Sequence, residues 1–220
     1  MTTEVGKQCA ACGKSETEEA PLLFCGRCQG KCYCGKECQQ SDWPSHKSNC
    51  VRLGIANLLQ AIQTNDLDMV QKLSRKAEVV KGIRGDFTRP IFACFPDNLQ
   101  AMEILLNSGH VDTEVQDSDG DTPLFYAASR RDGLPWILLE HGANINAATY
   151  DMMRVFTPLV MAARDGNYET TKFLLEQEAN PRPAINVVGM MCGGIVLEGE
   201  SFEEATERMD RVKQLLQEYA

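Results

Sequence analysis

Apolar residues along this chain change their spacing near residue 50. Beyond it they recur every three or four positions, the period of an amphipathic helix. Leucine pairs mark the same phase repeatedly: Leu58-Leu59, Leu105-Leu106, Leu138-Leu139 and Leu174-Leu175. Before residue 50 long apolar runs are missing, and turn residues and cysteines dominate. The pattern predicts a mostly α chain: a small loop-rich segment at residues 9–50, then a helical body over residues 54–220. A segment of about 45 residues can barely bury a core of its own, so something other than apolar packing must hold it. No apolar run approaches the roughly 18 residues that span a bilayer, so no membrane is expected. The opening MTTEVGKQCA has no apolar signal core, which speaks against secretion.

A longer period is superimposed on the helical one. Thr88, Thr122 and Thr157 stand 34 and 35 residues apart, each followed by an apolar turn, a small-residue pair and then a Leu-Leu pair. The segments TPLFYAASRRDGLPWILLEHGAN and TPLVMAARDGNYETTKFLLEQEAN resemble ankyrin repeats, an α-solenoid of stacked helix pairs. An earlier repeat is recognisable from Asn57–Ile62 through Asp68–Leu73, and a divergent last one over about residues 184–220, where GMMCGG replaces the small-residue helix. The 170 residues after Cys50 accommodate about five repeats of about 34. Thr-Pro is expected to start each first helix, with Thr capping free N–H groups and Pro occupying the position whose N–H would be unused. Ala127-Ala128 and Ala162-Ala163 let adjacent helices approach, and Gly109 and Gly142 allow a left-handed exit. No repeat buries its apolar side alone, so the array is stable only as a stack.

In such an array function sits on the hairpin tips and the inner helix surface. Candidates there are Asp117, Asp119, Asp121, Tyr126, Arg130, Arg131, Tyr150, Arg154, Phe156 and Arg164. The stretch Tyr150–Phe156 is about three residues longer than the repeat requires, and its aromatic and Met content suits an adaptable contact surface.

The first segment carries a different chemistry. Cys9-x2-Cys12, Cys25-x2-Cys28, Cys34-x3-Cys38 and His46-x3-Cys50 are four pairs of soft ligands, each pair placed on one tight turn or one helix face. Eight ligands make two closed tetrahedral Zn2+ sites with no position left for a water, which is structural rather than hydrolytic zinc. Cys32 breaks the pairing and is left out; Cys94 and Cys192 read as small buried core residues in a reducing compartment.

Charge narrows the partners. The segment's six basic and six acidic residues cancel, leaving 16 basic and 25 acidic residues of the chain's 22 and 31 in the helical body. The formal net charge of −9 disfavours nucleic acid, because phosphate neutralisation carries most such affinity.

The run Tyr33-Cys34-Gly-Lys-Glu-Cys38-Gln39 through Trp43-Pro-Ser-His46 to Cys50 closely resembles the MYND-type zinc finger, with every ligand position filled. The resemblance implies interleaved sites, Cys9, Cys12, Cys34 and Cys38 on one zinc and Cys25, Cys28, His46 and Cys50 on the other. It also implies a protein-interaction module that accepts short proline-containing peptides beside a β-strand, with Gln39 and Trp43 as the contacting positions. Pro44 is expected to confine the main helix to a start near Ser41 or Asp42, with Asp42 as N-cap, His46 and Cys50 on one face and Trp43 on another. The acidic loop between Cys12 and Cys25 reads as solvated.

The whole resembles ankyrin repeat and MYND domain-containing proteins. That implies a monomeric, non-catalytic adaptor in cytoplasm or nucleus: the finger holds a proline-containing peptide, and the acidic array a basic or mixed surface of a second protein. The alternative is a MYND-associated lysine methyltransferase or chromatin regulator. No P-loop, dinucleotide fingerprint or Ser/His/Asp set appears in the sequence to support catalysis.

Overall fold

One helix carries the chain out of the cysteine-rich segment and into the first repeat. It is α1, Lys36–Gln63, and it runs unbroken through Cys50. A computed structural model describes residues 7–81, 91, 98–130, 134–151, 154–189 and 199–220. The chain divides into two compact units, Met1–Val111 and Asp112–Ala220. Among the described residues no helix is long and apolar enough to cross a membrane.

In the first unit, β1 (Leu23–Phe24) pairs antiparallel with β2 (Cys32–Tyr33), Leu23 opposite Tyr33 and Phe24 opposite Cys32. Then come α1, α2 (Leu67–Ser74), α3 (Ala77–Val80) and α4 (Leu99–Asn107). The start of α1 corrects the sequence expectation. Gly35, not Asp42, is its N-cap, and Pro44 lies within the helix. Pro44 has no N–H to give the preceding turn, but the turns before it are held from outside. Asp42 accepts from Lys31 Nζ at 2.9 Å and Tyr33 Oη at 2.7 Å, which ties this part of α1 to the β2 strand. Asp42 is therefore spent on the hairpin instead of on a cap.

Further along, α1 becomes the first helix of the array. It packs on α2 and α3, burying Ile55, Leu58, Ala61 and Ile62 with Val70, Leu73, Val79 and Val80. Gly54 stands at the join. A Cβ there would meet Val79 Cγ2 at 2.7 Å and Cys28 Cα at 3.4 Å. Asn57 Nδ2 donates to the Cys28 carbonyl at 2.9 Å, and Arg27 pairs with Glu78 of α3 at 3.1 Å. The cysteine-rich segment and the first helix pair thus share one seam.

The second unit contains α5 (Pro123–Ser129), α6 (Leu134–Glu140), β3 (Thr149–Asp151), β4 (Arg154–Phe156), α7 (Pro158–Arg164), α8 (Tyr168–Glu176), α9 (Arg182–Gly189) and α10 (Phe202–Glu218). The first helices α5, α7 and α9 lie side by side, and α5 and α7 each pack on their own second helix. Ala127, Ala128, Ala162 and Ala163 are fully buried, as close helix approach requires. Gly109 and Gly142 adopt φ of 69° and 82°, the left-handed exits their positions predicted.

The Thr-Pro starts divide. Pro123 and Pro158 both occupy the first turn, and Thr157 accepts from Val160 N at 3.3 Å. Thr122 caps nothing: its Oγ1 is buried without a hydrogen-bond partner among the described residues. The long stretch at Tyr150–Phe156 contributes to the antiparallel pair β3–β4, with Thr149 opposite Phe156, Tyr150 opposite Val155 and Asp151 opposite Arg154. The last helix, α10, starts on a reciprocal cap in which Ser201 accepts from Glu204 N and Glu204 accepts from Ser201 N. Cys94, Cys192, Arg131, Thr88 and most of GMMCGG fall outside the described residues.

A repeated device positions the second helices. Asn98 caps α4 through Ala101 N, and its amide donates to the Ile62 carbonyl at the end of α1. Asn167 does the same for α8, capping Thr170 N while its amide reaches the Arg130 carbonyl at the end of α5. Each asparagine satisfies an orphan donor of one helix and an orphan acceptor of another.

Candidate metal centre

Tight turns and α1 deliver the eight ligands. Cys9 and Cys12 sit on a turn closed by Gly13 N to Cys9 O and Cys9 N to Lys14 O. Cys25 and Cys28 occupy the β1–β2 turn, where Cys25 N donates to Lys31 O at 2.7 Å and Gln29 takes φ of 55°. Cys34 follows β2, while Cys38, His46 and Cys50 project from α1.

They gather into two groups: Cys9, Cys12, Cys34 and Cys38, and Cys25, Cys28, His46 and Cys50. Within each group the ligand atoms all lie within 4.8 Å of one another. This is the interleaved arrangement, two pairs distant in sequence meeting at each site. The spacings between ligand atoms test the fit to zinc. A tetrahedron with metal–sulfur bonds of about 2.3 Å has edges of about 3.8 Å, and a sulfur–nitrogen edge is slightly shorter. Cys12 and Cys34 are 3.6 Å apart, Cys25 and Cys50 3.9 Å, and Cys28 Sγ lies 3.5 Å from His46 Nε2. None of these eight ligands, nor Cys32, is in a disulfide. The donor set is soft thiolate plus one imidazole, which suits Zn2+.

Electrostatics points the same way. Backbone N–H bonds from Cys12 and then Cys34 lower Cys9 to about 6. Burial opposes ionisation of Cys25, but N–H bonds from Cys28 and Arg27 still bring it down to about 6. Their neighbours move the other way. The adjoining thiol of Cys34, then that of Cys12, pushes Cys38 up to about 12, and burial followed by the charges of Cys28 and Cys25 pushes Cys50 up to about 12. One thiolate per group suppresses the next, so the four thiols of one group and the three of the other can all ionise only around a cation. With zinc bound, the eight side chains fill both tetrahedra.

The two groups differ in cover. Cys25, Cys28, His46 and Cys50 are all at most 1% exposed. In the other group Cys9 is buried, Cys12 and Cys34 are exposed and Cys38 is half-buried. Cys32 belongs to neither: its Sγ donates to the Gln8 carbonyl at 3.2 Å.

Around the metal centre, Trp43 is half-buried and lies edge-on to His46, ring centroids 5.9 Å apart. The expected separation of Trp43 from the His46 face is therefore wrong. Three residues apart on a helix, the two rings are neighbours. Arg27 covers the Trp43 ring at 5.5 Å, and Glu78 holds Arg27. Gln39 is half-buried on the first turns of α1, within the helix and not before it. Leu23 and Phe24 of β1 are exposed.

The array candidates are scattered. The Tyr126 hydroxyl donates to Asp117 at 2.5 Å, so this ring is tied to the lead-in turn. Arg130 is half-buried, and Phe156 packs half-buried against the core of its unit. Arg164 pairs with Asp165 at 3.0 Å. For Tyr150 and Arg154 only the backbone pairing of the hairpin is described. Sequence reasoning missed Arg27, Gly54, Asn57 and Glu78, because their partners lie far away in sequence and no spacing or period marks them.

Comparison with known proteins agrees with this geometry. A MYND finger model matches residues 9–50, and ankyrin repeats (3 copies) match residues 58–149 and 91–184. N-lysine methyltransferase SMYD2 of Homo sapiens is 45% identical over 47 residues, 21% of this chain and 10% of that protein. Egl nine homolog 1 of Mus musculus is 50% identical over 42 residues, 19% of this chain and 10% of that protein. The chain thus covers about a tenth of the length of these relatives, and the likeness to SMYD2 is confined to the MYND region.

Proposed function

Since the chain belongs to the ankyrin-repeat family and carries a MYND finger ahead of its repeats, we propose that it is a non-catalytic adaptor joining two protein partners. Both parts are of kinds that mediate protein–protein interaction. The finger takes a short proline-containing peptide along β2, with the Trp43 ring as an apolar plate and Gln39 as hydrogen-bonding partner. The array takes a second surface, basic or mixed in charge, to match its acidic excess. The working compartment is the cytoplasm or nucleus, where free thiols persist and zinc thiolates survive.

The observation that carries this reading is the completeness of the two ligand groups. Four side chains each leave no position for an activated water, so the zinc supports architecture. The methyltransferase relatives share the finger stretch alone, and ankyrin repeats follow it in this chain. That supports a reading without methyl transfer. Nucleic acid and membrane are absent from the proposed partners, in keeping with the net charge of −9.

The test uses the zinc-loaded full chain and a panel of fluorescent proline-containing peptides. Trp43→Ala is expected to weaken binding of the best peptide at least tenfold while native mass spectrometry still counts two zinc ions. Unchanged affinity in Trp43→Ala rejects the peptide site, and loss of zinc reassigns Trp43 to the core.

A further inference from the structure

The second helices of the Asp112–Ala220 unit form a groove that the adaptor reading does not use. It has a volume of about 550 Å³, within the size range of ligand clefts, and its lining comes from α6, the start of α8 and α10. Trp136 of α6 is 44% exposed at its edge. Tyr168 and Phe173 of α8 are half-buried, rooted in the core of the unit on one side and lining the groove on the other. An aromatic wall of this kind is costly to leave in water and marks interaction sites more often than a scatter of single residues does.

Two guanidinium groups from α10 sit in the same groove, and they are in different states. Arg208 is committed: it donates to both Glu200 oxygens at 2.8 and 2.9 Å and to the Asp165 carbonyl at 2.7 Å. Arg211 is exposed and lies 4.6 Å from the Tyr168 ring centroid. It has no carboxylate partner among the described residues. Cation–π attraction at this distance holds the guanidinium over the ring without using up its N–H donors. Such a pre-ordered fork fits a carboxylate with two parallel hydrogen bonds. Glu169 also lines the groove, so the lining holds two cations and one anion in a chain that is acidic overall.

We propose that this groove docks an acidic-aromatic peptide segment of a partner protein, its aromatic side chain against Trp136 and Phe173 and its carboxylate on Arg211. The complementarity is what selects the occupant. An apolar segment alone leaves the Arg211 fork unused, and a basic segment meets it with repulsion. The site lies on second helices, away from the inner helix surface where an ankyrin array is expected to bind. It stands independently of the proline-peptide reading of the finger.

The chain contains two tryptophans, so Trp43→Phe leaves Trp136 as sole indole emitter. A phage-displayed library of random dodecapeptides is selected on this zinc-loaded variant, and synthetic winners are titrated while Trp136 emission is followed. The expected winners pair a Phe, Tyr or Trp with an Asp or Glu a few residues away and shift Trp136 emission. Arg211→Glu is expected to weaken them at least tenfold, and a peptide with its acid changed to Lys to recover affinity for that variant. Arg211 is exposed, so its substitution leaves the fold intact, which thermal unfolding checks; Trp136→Ala gives a second, uncharged disruption with the same expected loss. The proposal is overturned if selection enriches nothing, if winners lack an acid, or if affinity is indifferent to Arg211→Glu and Trp136→Ala. Concentration-dependent self-association abolished by Arg211→Glu would assign the groove to a second copy of the chain and overturn it equally.

Discussion

Gly54 and Val79 touch only because position 54 carries no side chain, since a Cβ there would lie 2.7 Å from Val79 Cγ2. On an exposed helix face Gly→Ala gains up to about 1 kcal/mol from helix propensity. Here the added methyl wedges α1 away from α3 while Cys28 blocks retreat at 3.4 Å. Gly54→Ala is therefore expected to lose on the order of 1–2 kcal/mol in urea unfolding, the usual range for overpacking. The same substitution in a Val79→Ala background should recover part of that loss, and equal losses in both backgrounds would remove the steric account.

The unequal cover of the two thiol groups sets an order of metal release. Cys12 and Cys34 are open to solvent, whereas every ligand of the other group is at most 1% exposed. A chelator added in excess is expected to take one zinc quickly and the second more slowly, seen by native mass spectrometry as an accumulating one-zinc species. Cys34→Ser should abolish the fast phase and Cys50→Ser the slow one. Simultaneous loss of both ions would show that the groups open as one.

Asp121 carries a pH signature. Burial first, then the charges of Asp117 and Asp119, hold its carboxyl above the ordinary range. Its Oδ1 has no hydrogen-bond partner among the described residues. A carboxyl raised on folding adds stability that is full below its unfolded value, about 3.9, and is lost as pH rises through the folded value. Asp121→Asn removes that charge. It should raise Tm at pH 7 by about 2 °C, with the gain vanishing below about pH 4. A gain that persists in acid would mean that the effect is not electrostatic.

Gly166 serves the last helix. It takes φ of 64°, and a Cβ would collide with the Arg208 guanidinium, which Glu200 and the Asp165 carbonyl hold in place. Gly166→Ala is expected to cost on the order of 2 kcal/mol and to hasten proteolysis within Phe202–Glu218. Adding Arg208→Ala should relieve the collision but not the left-handed strain, so recovery stays partial.

Spacing made the zinc ligands legible, because four ligand pairs each three or four residues apart are what two metal sites need. Period made the repeats legible through Thr122, Thr157 and the leucine pairs. Long-range partners stayed hidden. Asp42 reads as a helix cap until Lys31 and Tyr33 are seen to claim it, and Thr122 looks like a match for Thr157 although only Thr157 caps. The extra length of Tyr150–Phe156 is legible from the repeat period, but its strand pairing is not, because the stretch shows no clean alternation of apolar and polar residues. Arg27, Gly54 and Asn57 act across the seam, where neither period nor spacing leaves a mark.

The 28 residues of α1 form a rod about 42 Å long, its front fastened by thiols and imidazole and its rear by aliphatic packing. A fragment trimmed at Cys50 severs that rod halfway and strips the Cys28 turn of its Asn57 brace. Starving the chain of zinc loosens the front of the beam on which the first repeat is built, so metal supply governs how firmly the scaffold begins.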